Sequence, residues 1–302
     1  MRRLQKSAPA EDFSPIERVV RRAFFLGGQG IDLMSMRQFF LSSWRSGFRN
    51  RTFLGLFALG IALVGVAYLS ASFSPRQPRT VALDVGLSGL RFSLVLFAIT
   101  LVQDTVGREI DRRSVVLTLS YPAPRSSYLL GRYFGILALL AVAGLILALL
   151  LWLVVIFSGS HYEQQFRVDL GFPFWVALLG VWLDVAVVTA FSLWIASLST
   201  VTMLPLVLGL LFAIAGRALG PVADFLAKGA DGQDVVVAQY GPLLDLIRWV
   251  LPDLSRLDWR AWAMYGVPPD GMAMVLAGLT GVAYSGLMVG LAIYSFSRRE
   301  FS

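Results

Sequence analysis

The sequence predicts an all-α, polytopic membrane protein with six transmembrane helices, and three observations carry that prediction. Of its 302 residues, 57% are hydrophobic and 15% charged, where a soluble domain carries roughly a quarter charged residues. Mean hydropathy is +0.70. Several apolar runs are long enough, at about 1.5 Å per helical residue, to cross a hydrocarbon core of about 30 Å, and charged or turn-rich stretches separate them. The net charge of +7 fits the basic flanks that orient spans in a bilayer, so no nucleic-acid partner is expected. The chain has no cysteine, which excludes disulfides, thiolate metal sites and a cysteine nucleophile. The first fifty residues hold no short apolar core ending in a small-residue cleavage site, so no removable signal peptide is expected.

Residues 1–31 read as a basic N-terminal segment on the cytoplasmic side, broken by Pro9, Pro15, Gly27, Gly28 and Gly30. Residues 32–302 read as one six-span domain. It begins with a helix over residues 32–51 that Asp32 can cap. Leu33, Met36, Phe40, Trp44 and Phe48 fall on one face of that helix, opposite Gln38, Ser42, Arg45 and Arg49. An aromatic face opposite a basic one suits a helix lying in the membrane interface; the alternative is that it packs on the rest of the protein.

The first span is expected from about Phe53 to Phe73, ended by Pro75 and Pro78, with a loop to Gly86. The second covers about Leu87 to Val106, and Arg91 near its start reads as a residue that snorkels to the headgroups. The third runs from about Phe134 to Ser158, the fourth from Phe172 to Ser197, and the fifth from Met203 to Leu219. Pro205 suits the first turn of the fifth, where its missing N–H costs nothing. Gly220 and Pro221 are read as opening an external loop over residues 220–270, in which Pro242 to Pro252 is amphipathic. The sixth span is about Gly271 to Phe296. His161, the sole histidine, lies in the loop before the fourth span and reads as a surface residue.

Six spans put both termini on one side. Of the 26 Lys and Arg residues, seventeen fall on the side of the termini and seven on the other, with Arg91 and Arg217 inside spans. That asymmetry predicts cytoplasmic termini. The chain holds no phosphate-binding loop of the G-x-x-x-x-G-K-[ST] type and no H-E-x-x-H. Asp184, near the middle of the fourth span, is a candidate pathway residue because ionisable groups at membrane depth are functional candidates. Arg91 and Arg217 are expected near the outer ends of their helices, roughly 10 Å or more from it along the membrane normal by helical rise, so no cation is expected at its depth. Asp104 is expected to face the cytoplasmic interface.

The segment from Gly107 to Tyr133, between the second and third spans, carries most of the remaining information. Glu109 and Asp111 stand at its start, with Arg108, Arg112, Arg113, Arg125 and Arg132 along it. Residues 114–119 are mostly apolar, Pro122 and Pro124 break the chain, and a helix can begin at Ser126 and run without a break into the third span. Together these make a compact knob at the membrane surface that a soluble partner can grip, coupled to two spans at once.

These residues resemble the type-2 ABC exporter permeases. The resemblance rests on Glu109, the apolar stretch Val115 to Leu119, Pro122, Arg125, Gly131 and Arg132. The helix before the first span, Leu251-Pro252 in the external loop and the final Arg298-Arg299-Glu300-Phe301 add to it. It covers most of the chain from about residue 32, and is nearest the subgroup that includes permeases for nitrous-oxide-reductase maturation and gliding motility. The resemblance implies a permease half in the cytoplasmic (inner) membrane that pairs with a second permease copy and with a separate ABC ATPase subunit. The loop from Glu109 to Gly131 would contain a coupling helix, with Glu109, Arg112, Arg113, Pro122, Arg125 and Gly131 coupling to the ATPase partner. No catalytic residue, cofactor or metal is expected on this chain, and ATP would bind the partner subunit. Two other readings compete: an ion-coupled secondary transporter working through Asp184, and a membrane scaffold that moves nothing.

Overall fold

The computed structural model describes residues 33–48, 50–74, 76–107, 125–158, 168–199, 201, 203–227, 246–247 and 251–298. Helix α1 (Leu33–Phe48) precedes α2 (Arg51–Ser72). Then come α3 (Pro78–Val102), prolonged by a π-helical turn over Gln103–Gly107, and α4 (Arg125–Phe157). Next are α5 (Phe172–Leu198) and α6 (Leu204–Ala227). A 3-10 turn at Leu254–Leu257 and the short α7 (Arg260–Tyr265) lead to α8 (Gly271–Arg298). Among the described residues, 6 helices are long and apolar enough to cross a membrane: α2, α3 with its π turn, α4, α5, α6 and α8. No strand is assigned among them.

The bundle is centred on α3 and α5. α3 packs against α2, α4, α5 and α6, while α5 packs against α3, α4, α6 and α8. Phe97, Leu94, Val187 and Leu147 are fully enclosed at this centre. Lipid is as apolar as leucine, so helix association here depends on close fit rather than on expulsion of water, and small residues let it happen. Gly60 of α2 and Gly86 of α3 accept the Leu147 and Leu151 side chains of α4.

Several helix ends depart from the expected ones. α3 starts at Pro78, in the stretch expected to be loop, because proline is favoured at a first helical position, where an amide is not needed. α4 is a single helix of 33 residues that runs from Arg125 into the membrane, one residue before the expected start at Ser126. α6 does not stop at Leu219. It continues through Gly220 and Pro221 to Ala227, so the segment expected to open at 220 leaves the helix later.

α1 packs along the start of α4. Among the described side chains Ser43 and Gly47 are buried, Met36, Phe39 and Phe40 lie against α4, and Trp44 packs on the core, so the contact face takes in the expected Met36, Phe40 and Trp44 together with the small residues Ser43 and Gly47. Two glycines of α4 make the contact possible. A Cβ on Gly131 would lie 2.7 Å from the Met36 carbonyl oxygen and 2.7 Å from Phe39 Cβ. On Gly135 it would lie 2.7 Å from Ser43 Cβ. Arg132 between them is buried, donates to Ser43 Oγ at 3.2 Å and lies over the Tyr128 ring at 5.5 Å. The helix is therefore held by the protein.

Replacing Gly135 by valine forces α1 off α4. We expect a loss of about 1–3 kcal/mol, read as a lower melting temperature of the purified protein in detergent. Gly55→Ala, whose Cβ meets nothing within 4 Å, should leave the melting temperature unchanged or raise it.

Candidate functional site

Residues 251–265, between α6 and α8, fold back into the bundle. Asp253 caps the 3-10 turn by accepting hydrogen bonds from the Ser255 amide at 3.1 Å and the Ser255 hydroxyl at 2.6 Å. Leu254, Leu257 and Trp259 are buried. Three glycines on neighbouring helices receive this segment. A Cβ on Gly180 of α5 would run into the Leu257 carbonyl, and one on Gly220 of α6 into the Ser255 hydroxyl. A Cβ on Gly216 would sit 2.9 Å from Leu254 Cδ1 and 3.2 Å from the Pro252 carbonyl. Gly220 is thus a notch for the returning chain, which is why Gly220-Pro221 does not end α6. By helical rise Gly180 lies roughly 12 Å in from the start of α5, and Gly216 and Gly220 roughly 16 and 10 Å in from the end of α6. Non-helical backbone at such depth is tolerated when it is enclosed by protein. The short α7 that follows is closed by Gly266, whose φ of 69° is the left-handed conformation glycine adopts readily.

This segment brings a carboxylate to charges inside the bundle. Arg91 of α3 donates from one terminal nitrogen to Asp258 Oδ2 at 2.9 Å. Its Nε lies 3.6 Å from Asp184 Oδ2 of α5. Arg217 of α6 donates to the same Asp184 oxygen. Asp184 is 1% exposed. On the outward side, Arg260 pairs with Asp258 at 3.1 Å and with Asp84 at 2.8 Å. Two arginines and two aspartates from three helices and the re-entrant chain therefore neutralise one another, with Arg260 and Asp84 continuing the network outward. Each of the inner four keeps one polar side-chain atom without a hydrogen bond among the described residues, so the cluster is balanced in charge but not saturated in hydrogen bonds.

The geometry corrects two expectations. Arg91 does not snorkel; it is buried and paired twice. Asp184 does have cations at its depth. Depth had been counted from span ends that the helices overrun: α3 begins at Pro78 and α6 ends at Ala227, so Arg91 and Arg217 are mid-helix residues. Asp258 was not singled out from the sequence. The available signal was opposite charges within or beside apolar windows, which must pair if they are enclosed. Burial alone would raise the Asp258 carboxyl, but the Arg91 hydrogen bond and charge, with the Arg260 charge behind them, outweigh it and hold the group below its ordinary range.

The opposite end of the bundle holds the residues expected to meet a partner. Glu109, Arg112, Arg113 and Pro122 lie outside the described residues, as do residues 1–32, His161 and most of Pro242 to Pro252. Arg125 donates to the carbonyls of Phe296 at 3.3 Å and Ser297 at 2.9 Å, tying the start of α4 to the end of α8. Gly131 faces α1. Asp104, in the π turn that closes α3, accepts a hydrogen bond from Asn50 at 2.5 Å. Asn50 also caps α2 by accepting from the Thr52 amide at 3.0 Å. Asp104 is thus held by a neighbouring helix cap.

The sequence pattern of the ABC-2 family transporter proteins matches residues 41–301, which take in all 6 candidate spans. The chain belongs to that family. It is a multi-pass permease component of an ABC transporter, a class of machine that includes an ATPase partner. No individual curated protein matches it.

Removing one partner from a buried ion pair strands the others. In this ABC-2 protein Asp184→Ala is expected to cost about 3–5 kcal/mol, and the double replacement Asp184→Leu with Arg217→Met far less, because Arg91 and Asp258 then still balance. Melting temperatures of the two purified variants decide this. A carboxylate held below its unfolded pKa contributes stability that is complete above about pH 4 and is lost as pH falls through the lower folded value. Wild-type melting temperature should therefore drop in that acid range, and a shallower drop in Asp258→Asn is the expected outcome.

Proposed function

We propose that this chain is the membrane half of an ATP-driven exporter in the cytoplasmic membrane, with both termini and the loop between α3 and α4 on the cytoplasmic side. A separate ABC ATPase subunit seats on that loop, and two permease copies pair to make the working unit. The orientation is supported by the seventeen basic residues on the side of the termini against seven opposite. Within the family, the run from Glu109 to Arg132 favours the subgroup that includes permeases for nitrous-oxide-reductase maturation and gliding motility.

The observation that carries the mechanical reading is the anchoring around the loop. On its far side α4 is one unbroken helix of 33 residues beginning at Arg125. Arg125 grips the last carbonyls of α8, and α1 lies along the same stretch of α4. On its near side α3 ends in a π turn, a form of helix that recurs at functional sites, and Asn50 ties that turn to the start of α2. A push on the loop therefore reaches α2, α3, α4 and α8 together. ATP binding and hydrolysis in the partner shift the bundle between states by as much as the partner's contacts differ between them. An ion-coupled carrier working through Asp184 would need a carboxylate free to exchange its proton or cation, and Arg91 and Arg217 hold this one.

With the ATPase subunit co-purified and reconstituted in vesicles, Glu109→Lys and Arg125→Glu are each expected to lower permease-dependent ATP hydrolysis severalfold while membrane insertion is retained. Wild-type hydrolysis in both variants would remove the loop from the mechanism.

A further inference from the structure

A groove of about 390 Å3 opens between α4, α5 and α8, within the size range of small-ligand sites, roughly 300–1,000 Å3. Its walls are hydrocarbon, with Phe134 and Leu137 on α4, Trp182 on α5, and Val289 and Ile293 on α8. Its floor is bare backbone at Gly286 and Gly290, where an added Cβ would meet nothing within 4 Å. The polar groups around it are engaged elsewhere. The Tyr133 hydroxyl donates to the Ala186 carbonyl at 3.3 Å, Trp182 Nε1 to the Leu137 carbonyl at 3.5 Å, and the Ser285 hydroxyl to the Gly281 carbonyl at 2.9 Å. What fits such a trough is a chain with nothing to hydrogen-bond.

Length and charge narrow the occupant. From Val282 to Ile293 the groove follows α8 for roughly 16 Å by helical rise, about half of a hydrocarbon core of about 30 Å. That is the reach of one leaflet. Past its end the same helix face changes character. Gly286, Gly290, Tyr294 and Arg298 recur at intervals of four residues and so follow one stripe. Tyr294 is 53% exposed, and the Arg298 guanidinium lies over its ring at 4.5 Å from the centroid. Arg125 stands at the same end of the bundle, on the α8 carbonyls. An apolar trough one leaflet deep thus leads to an arginine backed by an interfacial tyrosine.

We infer that the groove between α4 and α8 binds an anionic phospholipid, one acyl chain lying over Gly286 and Gly290 and the phosphate meeting Arg298. A zwitterionic lipid would bring its own cation beside its phosphate, whereas an anionic one sets a net negative charge against Arg298, which makes no ion pair among the described residues but lies over the Tyr294 ring. The inference rests on the orientation proposed above in one respect: that orientation puts Arg298 in the cytoplasmic leaflet, where anionic lipids are concentrated. Binding itself needs neither ATP nor a partner subunit, so its failure would leave the transport reading standing.

The test uses the full chain in mild detergent, exchanged against mixed micelles of phosphatidylglycerol and phosphatidylcholine in equal amounts, with retained lipid counted by native mass spectrometry. Wild type should retain phosphatidylglycerol in preference. Arg298→Gln should cut the preference about fivefold, the worth of one arginine near an anionic surface. Gly290→Leu fills the floor and should lose both lipids, with Gly286→Leu as a second filling variant and an unchanged size-exclusion profile as the folding control. Equal retention of the two lipids by wild type, or unaltered retention in the filled variants, overturns the inference. The chain has no cysteine, so Gly290→Cys adds a direct check. A monomer after oxidation in membranes supports the lipid, whereas a disulfide-linked dimer would put a second copy in the groove and overturn it.

Discussion

Charge neutrality inside an apolar bundle is the constraint on which the rest of this structure depends. Arg91 and Arg217 both turn toward Asp184, and one carboxylate cannot balance two guanidiniums. The missing negative charge comes from Asp258, which the chain supplies from between α6 and α8. An enclosed, unpaired charge is far more costly than any single packing contact, so the returning segment is held in place by the charges it completes. α3, α5 and α6 are fixed relative to one another by the same interaction.

Missing side chains do the complementary work. At one end of the bundle Gly131 and Gly135 let α1 lie against α4; at the other, Gly180, Gly216 and Gly220 let the chain around Leu254 and Leu257 reach the backbone of α5 and α6. Where lipid surrounds the helices, close backbone approach is the available source of attraction. The two contacts sit on opposite ends of the spans. In the mechanism proposed, force enters beside the first, and the second holds the far end closed around its ion pairs. α4 reaches from Arg125 across the bundle, and its groove with α8 opens toward the same anchoring point.

Much of the architecture was legible from residue order because the cost of exposing a polar backbone to hydrocarbon is large and local. Runs of apolar residues long enough to cross a bilayer must be helices there, which is why the spans from Phe53, Phe134 and Phe172 were read nearly as they stand. Helix ends were less legible. Gly220-Pro221 looked like a stop, yet the glycine is there to admit Ser255, and the helix passes through both residues. On α1, Ser43 and Gly47 join Met36 and Phe40 toward α4 because α4 approaches closely, and the hydropathy of those two small residues does not record it.

The order of residues by itself determined that this is an all-helical membrane protein with six spans and a basic surface on the side of its termini, since span length and charge asymmetry are properties of the chain read along its length. Which charges meet was decided only by the fold. Asp184 has Arg91, Arg217 and Asp258 around it although all of them are distant in sequence, because their pairing depends on where helices end and how closely three glycines let a returning segment approach. Neither quantity is written in any local stretch of the chain.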